Sequence, residues 1–262
     1  VDQELLLDRH DAVALVTLNR PDRLNALTLP MMARFTRLME ELNDDPDVRA
    51  IVITGAGRGF CSGLDLKENT ISQGTWRSAY RAMNFNEHEV ARMRGYTKPL
   101  IAAVNGVAVG GGLGIALACD IRIGSENASF CAAFAKHGMP PQDAVAAYLP
   151  DAVGLSKALE MIFTAKTVRS DEALACGLIS ELTANETLLE RALELAGVIA
   201  AGPPVALAMA KQVVYRGRGK PIDDQMALQT LGSFLNKAYA PNDLSEAASA
   251  FAEKRKPRFT GT

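Results

Sequence analysis

With 262 residues, 48% of them hydrophobic and 22% charged, the chain suits one large globular domain, or a domain with a small helical appendage, without covalent staples. A net charge of −2 argues against a general nucleic-acid binder, and four cysteines (Cys61, Cys119, Cys131, Cys176) without CxxC spacing point to a reduced, cytoplasmic compartment. Residues 101–118 come closest to a membrane span, but Asn105 and the glycines spoil it, and the first residues lack a secretory pattern, so no membrane partner is expected.

In chain order, residues 4–7 and 12–18 read as two short strands around a His10-Asp11 turn, a hairpin. Residues 29–42 place Met31, Phe35, Leu38, Met39 and Leu42 at helical spacing, and Asn43-Asp44-Asp45-Pro46 stops that helix. Residues 50–54 form a buried strand entering the glycine turn Gly57-Arg58-Gly59-Phe60-Cys61-Ser62-Gly63-Leu64-Asp65-Leu66. A polar, mostly helical stretch over 75–95 carries Tyr80, Met83, His88 and Met93. Residues 100–104 are the next strand and lead into Gly110-Gly111-Gly112-Leu113-Gly114; residues 120–124 are another, closed by Ser125-Glu126-Asn127. The repeated strand, turn and helix predict an α/β fold with crossover connections. Beyond Gly154 the pattern turns helical, over 156–163, 171–176, 186–201, 204–215, 222–238 and 244–255. The break at Ala201-Gly202-Pro203-Pro204 divides a core, 1–200, from a C-terminal helical region, 201–262.

The glycine run contains no G-x-G-x-x-G and no following Lys-Ser/Thr, so neither dinucleotide nor P-loop binding is supported. Ser62 lies outside a G-x-S-x-G elbow, and His10, His88 and His137 are isolated, so no metal site is expected. Two glycine turns, each leading to a helical pattern, could aim two backbone N–H groups at one oxygen, an oxyanion hole for carbonyl chemistry. A tight strand–helix turn without a ligand is the plainer alternative.

Several segments together carry a family likeness. They are Asn19-Arg20-Pro21-Asp22-Arg23-Leu24-Asn25-Ala26-Leu27, residues 59–67, and Ala103-Val104-Asn105-Gly106-Val107-Ala108-Val109-Gly110-Gly111-Gly112 with Ala118-Cys119-Asp120-Ile121. The ending Ala250-Phe251-Ala252-Glu253-Lys254-Arg255-Lys256-Pro257-Arg258-Phe259 completes the set. The chain resembles the crotonase superfamily, the enoyl-CoA hydratase/isomerase family, along essentially its whole length. The resemblance implies a spiral of ββα units with a C-terminal helical trimerisation region, and a homotrimer or dimer of trimers. It implies an acyl-CoA thioester as substrate, so that coenzyme A is part of the substrate and no separate cofactor is needed. It assigns the oxyanion donors to the N–H groups of Leu64 and Gly111. Arg23 falls near the CoA phosphates and Lys254 near the nucleotide end, although either could be an ordinary solvated charge. Ser62, Asp65, Leu66 and Lys67 of the second signature, with Phe134 and Gln142, fall at the substrate.

Two positions depart from the family's hydratases. Their paired glutamates fall on Gly114 and Phe134, neither of which transfers a proton. The phenylalanine matching Phe134 resembles the single-carboxylate enoyl-CoA isomerase branch, where one acid moves a proton between two carbons. That branch's acid falls on Gln142, with Asp143 next to it. A helix over 142–149 would turn neighbouring side chains about 100° apart. Asp143 is therefore the candidate acid–base group if the helix start is shifted, and otherwise a helix N-terminal carboxylate. Glu87, His88, Tyr80 and Met83 are weaker candidates for the acyl pocket. Double-bond isomerisation through a thioester enolate leads. The alternatives are a hydratase or hydrolase with non-standard acid/base residues, and a non-catalytic acyl-CoA-binding paralogue.

Overall fold

The computed structural model describes residues 4–67 and 90–262, over which the elements are numbered. Strands β1 (Leu5–His10) and β2 (Val13–Leu18) form the expected antiparallel hairpin, with His10 opposite Val13. β2 then pairs in parallel with β3 (Ala50–Gly55), β3 with β5 (Leu100–Val104), β5 with β7 (Ile121–Ser125) and β7 with β10 (Glu181–Thr183). The six-stranded order is β1-β2-β3-β5-β7-β10. A second sheet takes the intervening short strands: β4 (Gly59–Cys61), β6 (Val107–Val109), β8 (Ser129–Cys131) and β9 (Thr167–Arg169), in that order. After the β1–β2 hairpin, each successive pair from β3 onward gives one strand to each sheet, which is how a spiral of ββα units advances.

The unbroken apolar runs of β3 and β5 follow from burial on both faces. Alternate residues separate cleanly. Ile51, Ile53, Leu100, Ala102 and Val104 join the main core with helix α1 (Leu29–Asp44), whereas Ala50, Val52, Ile101 and Ala103 meet helix α6 (Leu188–Ala200). Leu188, Ala192, Ala196 and Ala200 recur every fourth residue, so α6 lays one narrow face on the sheet. Helix α1 begins at Thr28, whose hydroxyl accepts the Met31 N–H at 3.2 Å.

Helices α2 (Gly111–Ala118), α3 (Val145–Val153), α4 (Leu155–Thr164) and α5 (Ser170–Ala175) add their buried apolar residues to the main core, in the cluster that α6 does not touch. Five strands of three residues each (β4, β6, β8, β9 and β10) were not expected, because three residues are too few for periodicity to register. Of the predicted stretch over 75–95, residues 75–89 lie outside the described residues, including Tyr80, Met83, Glu87 and His88. Residues Met93–Gly95 form one 3-10 turn.

Helices α7 (Pro204–Gly217), α8 (Ile222–Tyr239) and α9 (Pro241–Glu253) follow the break at 201–203. Helix α7 is pinned to the core through Asp120, which accepts from Lys211 at 2.9 Å and from the Tyr215 hydroxyl at 2.8 Å. Burial raises the Tyr215 phenol and lowers the Lys211 ammonium from their ordinary ranges. In contrast, α8 buries only Gly232 and exposes Ile222, Phe234 and Tyr239, and Phe251 on α9 is 89% exposed. Among the described residues no single helix is long and apolar enough to cross a membrane. The α6–α7 pair passes on length and composition together but is bent by 106°.

Candidate active site

The first glycine turn is held from both sides by buried or half-buried amides. Asn25, itself in the left-handed region at φ 57°, donates to the carbonyls of Ala56 (2.9 Å) and Gly59 (2.7 Å). Asn105 donates to Gly55 (2.8 Å) and Gly57 (2.9 Å). Past β4 the chain reaches Gly63 at φ 89°, where a Cβ would stand 2.7 Å from the Val109 carbonyl oxygen and 3.4 Å from the Gly111 nitrogen. Only glycine allows both the dihedral and the approach. The two glycine turns, about fifty residues apart in sequence, therefore meet here.

Leu64 is oriented by a parallel bridge to Leu27. The Leu27 N–H donates to the Gly63 carbonyl at 2.8 Å, and the Asp65 N–H to the Leu27 carbonyl at 2.9 Å. The N–H of Leu64 itself consequently points away from Leu27. Gly111 opens α2, and N–H groups of a helix's first turn have no intrahelical acceptor. The helix is buried throughout, so the partial positive charge of its N-terminus is little screened.

Asp143 comes to the same place from a separate turn. Asp143 and Ala144 both lie in the left-handed region, at φ 52° and 58°, and α3 starts only at Val145. The shifted start turns the Asp143 carboxylate onto α2: its Oδ2 stands 3.1 Å from where a Cβ on Gly111 would be. A Cβ at position 114 would lie 2.6 Å from the Asp143 carbonyl oxygen and 2.8 Å from the Asp143 Cβ. Glycine at 114 thus makes room for the turn that carries Asp143. Phe134 is buried, with its ring edge 4.0 Å from the Cβ direction of Gly110. Gln142 is half-buried, and its carbonyl accepts the Val145 N–H at 3.0 Å.

Burial pushes the Cys61 thiol up to about 12, with the nearby Asp143 charge adding to the effect, so the sulfur stays protonated and is no nucleophile. Sequence reasoning passed over Arg94 and Tyr148, which stabilise the α2–α3 junction. The Arg94 guanidinium lies 3.4 Å from the Tyr148 ring centroid, donates to the Leu117 carbonyl at 3.1 Å and pairs with Asp151 at 3.3 Å. The Tyr148 hydroxyl donates to the Ala91 carbonyl at 2.9 Å. No spacing rule marks such residues, because their partners lie on different elements.

The other expected residues divide. Ser62 joins two loops, donating from Oγ to the Arg23 carbonyl (3.2 Å) and from its N–H to the Leu24 carbonyl (2.9 Å). Asp65, expected at the substrate, turns its buried carboxylate onto Arg20 at 3.0 Å and accepts the Lys67 N–H at 3.1 Å. Arg23, Leu66 and Lys67 are exposed. Lys254 is exposed at the end of α9, in the left-handed region at φ 55°. Among the described residues no group of three or more His, Cys, Asp or Glu is arranged to hold a metal ion.

A two-sheet spiral in which a bridged strand end meets the N-terminus of a buried helix is a crotonase-type fold. The family model described as enoyl-CoA hydratase/isomerase matches residues 8–262. The chain is 36% identical over 258 residues to the short-chain-enoyl-CoA hydratase of Clostridium acetobutylicum, covering 96% of this chain and 95% of that one. The solved enoyl-CoA hydratase of Bacillus anthracis superposes with a TM-score of 0.93 at 29% identity, covering 99% and 100% of the two chains. An enoyl-CoA hydratase structure from Mycobacterium smegmatis gives 0.91 at 29% identity, covering 98% and 99%. The chain belongs to the enoyl-CoA hydratase/isomerase family and is an enzyme of that type. These relatives are named hydratases, not isomerases.

Proposed function

We propose that the protein moves a double bond in an enoyl-CoA through a thioester enolate, with Asp143 as the single acid–base group. The carrying observation is the meeting of one carboxylate with two glycine turns at Gly111, beside a position 114 that has no room for a second carboxylate. The thioester oxygen takes the N–H groups of Leu64 and Gly111. Asp143 removes a proton from the carbon next to the carbonyl, and the electron pair moves onto that oxygen as a dienolate. The same carboxyl returns the proton to the far end of the original double bond, which shifts into conjugation. No atom is gained or lost, so one carboxyl suffices. Each oxyanion donor contributes on the order of 2.7–4 kcal/mol to such a step.

Phe134 forms an apolar wall and Gln142 a polar neighbour for the acyl group, while Ser62, Asp65, Leu66 and Lys67 shape the loop that presents Leu64. The exposed cations Arg23 and Lys254 suit the phosphates of coenzyme A, as fork and point charge respectively. The apolar side chains left exposed on α8 and α9 support assembly with further copies, as a trimer or dimer of trimers. Four unpaired cysteines support a reducing, cytoplasmic location.

Incubation with a 3-enoyl-CoA and with a 2-enoyl-CoA, read by mass and by the ultraviolet absorbance of the conjugated thioester, tests the reading. Isomerisation leaves the mass unchanged; hydration adds one water; hydrolysis releases free coenzyme A. Turnover unaffected by Asp143→Ala removes Asp143 from the mechanism, and binding without turnover across the panel favours a non-catalytic acyl-CoA binder.

A further inference from the structure

Arg20 lies outside the cradle but touches both sides of the bridge that orients Leu64. Its backbone is held first: the N–H donates to the Asn25 Oδ1 at 2.8 Å, and the carbonyl accepts the N–H groups of Arg23 and Asn25, each at 2.9 Å. From this anchored base the guanidinium reaches three acceptors among the described residues. Nη1 donates to the Ala26 carbonyl at 2.6 Å and to the Asp65 carboxylate at 3.0 Å, and Nε pairs with Glu4 at 3.1 Å. Ala26 immediately precedes Leu27, and Asp65 immediately follows Leu64. One nitrogen thus joins the neighbours of both residues in the Leu27–Leu64 bridge.

The side chains of Arg20 and Asp65 are only 10% and 8% exposed. Burying an ion pair is a poor source of stability, since well-packed apolar residues often serve as well or better. A fork of fixed donors, however, sets the distance between two backbone segments more closely than apolar contact does. The Asp65 carboxylate also receives the Lys67 N–H at 3.1 Å, which limits rotation of the chain just beyond Leu64.

We propose that Arg20 and Asp65 are positioning residues that aim the Leu64 N–H at the thioester oxygen, an inference that rests on the oxyanion role of Leu64 given above. Their effect falls on polarisation of the carbonyl rather than on affinity for the coenzyme. Misplacement of a reacting group by about 1 Å costs on the order of 100-fold in rate. Asp65→Asn keeps the shape and an acceptor but removes the charge; Arg20→Lys keeps the charge but loses the fork. Each is expected to lower kcat roughly 10- to 100-fold while KM changes less than about threefold.

The deciding measurement is the carbonyl stretch of a saturated acyl-CoA labelled with carbon-13 at the thioester carbon, taken from the tightest binder in a C4 to C12 series. In the unaltered protein the stretch moves to lower frequency on binding. In either variant the expected shift is smaller, at a Kd within about threefold of the original. A shift equal to that of the unaltered protein overturns the positioning role, whatever the activity. Loss of fold in both variants also overturns it, in favour of a purely structural pair. If the unaltered protein binds no member of the series, or binds without shifting the stretch, the oxyanion reading itself falls and this inference falls with it.

Discussion

The two halves of the candidate site are built by opposite means. The cradle half, Gly63-Leu64 and Gly110-Gly111-Gly112, consists of backbone held by sheet register, by Asn25 and Asn105, and by the start of a buried helix. The half proposed for acid–base work is a single side chain, Asp143, delivered by two consecutive left-handed residues before α3. A backbone site is specified by which residues are absent, since glycine at 63 is required for the strand end to pass Val109 and Gly111. A side-chain site is specified by where one Cα points, and a turn of two residues decides that. The first half therefore tolerates little substitution, whereas the second depends on one side chain and on the glycine at 114 that leaves room for its turn.

The sharpest challenge to this contrast is Asp143→Asn, which keeps the turn and removes the base. The expected fall in kcat is about 10²- to 10⁴-fold, with melting temperature and acyl-CoA affinity nearly unchanged, measured by steady-state kinetics and thermal unfolding. Gly63→Ala attacks the backbone half and should cost both quantities: roughly 1–3 kcal/mol of stability from the enforced dihedral, more from the Val109 contact, with a loss of kcat. If kcat falls while stability holds, the cradle is less constrained than its geometry indicates. Gly114→Ala couples the halves, because its methyl group meets Asp143. About 1–3 kcal/mol of overpacking is expected, with kcat falling while the cradle's carbonyl shift persists.

Smaller effects follow at the edges. Ala144→Gly relieves a left-handed alanine, worth about 1–2 kcal/mol, against a Gly entropy cost of roughly 0.5–1 kcal/mol, leaving a slight net stabilisation in denaturant unfolding. A large loss would show that the turn is held by its methyl group. Farther away, hydrogen bonds from Arg255 and from the Arg258 N–H hold the Glu246 carboxyl at about 2, below its ordinary 4.5. A carboxyl depressed in the folded state stabilises above its unfolded value and loses that contribution as pH falls toward 2. Protection of the amides of residues 255–262, each exchange rate taken relative to its intrinsic rate at the same pH, should therefore fall between pH 4.5 and 2 before that of the core amides, and an Arg255→Ala variant should lack the transition.

Much of this was legible in residues and spacing. The strands at 50–55 and 100–104 were readable because burial on both faces demands an unbroken apolar run, and α1 because Met31, Phe35, Met39 and Leu42 share one face. The three-residue strands were not readable, since their pairing partners supply the signal. Asp65 shows the limit at the site: its place in a glycine signature suggested substrate contact, whereas burial and Arg20 give its carboxylate a scaffold contact.

The amino-acid sequence by itself determined the family, the two glycine turns and the loss of a glutamate at position 114, because these depend on residue identity at fixed intervals. Tertiary structure decided that the turns converge at Gly111 and that the Asp143 carboxylate faces them. It also decided that Gly114 is matched in space to the Asp143 turn. Those outcomes depend on the φ angles of two residues and on contacts between segments about thirty to fifty residues apart, which no local pattern encodes.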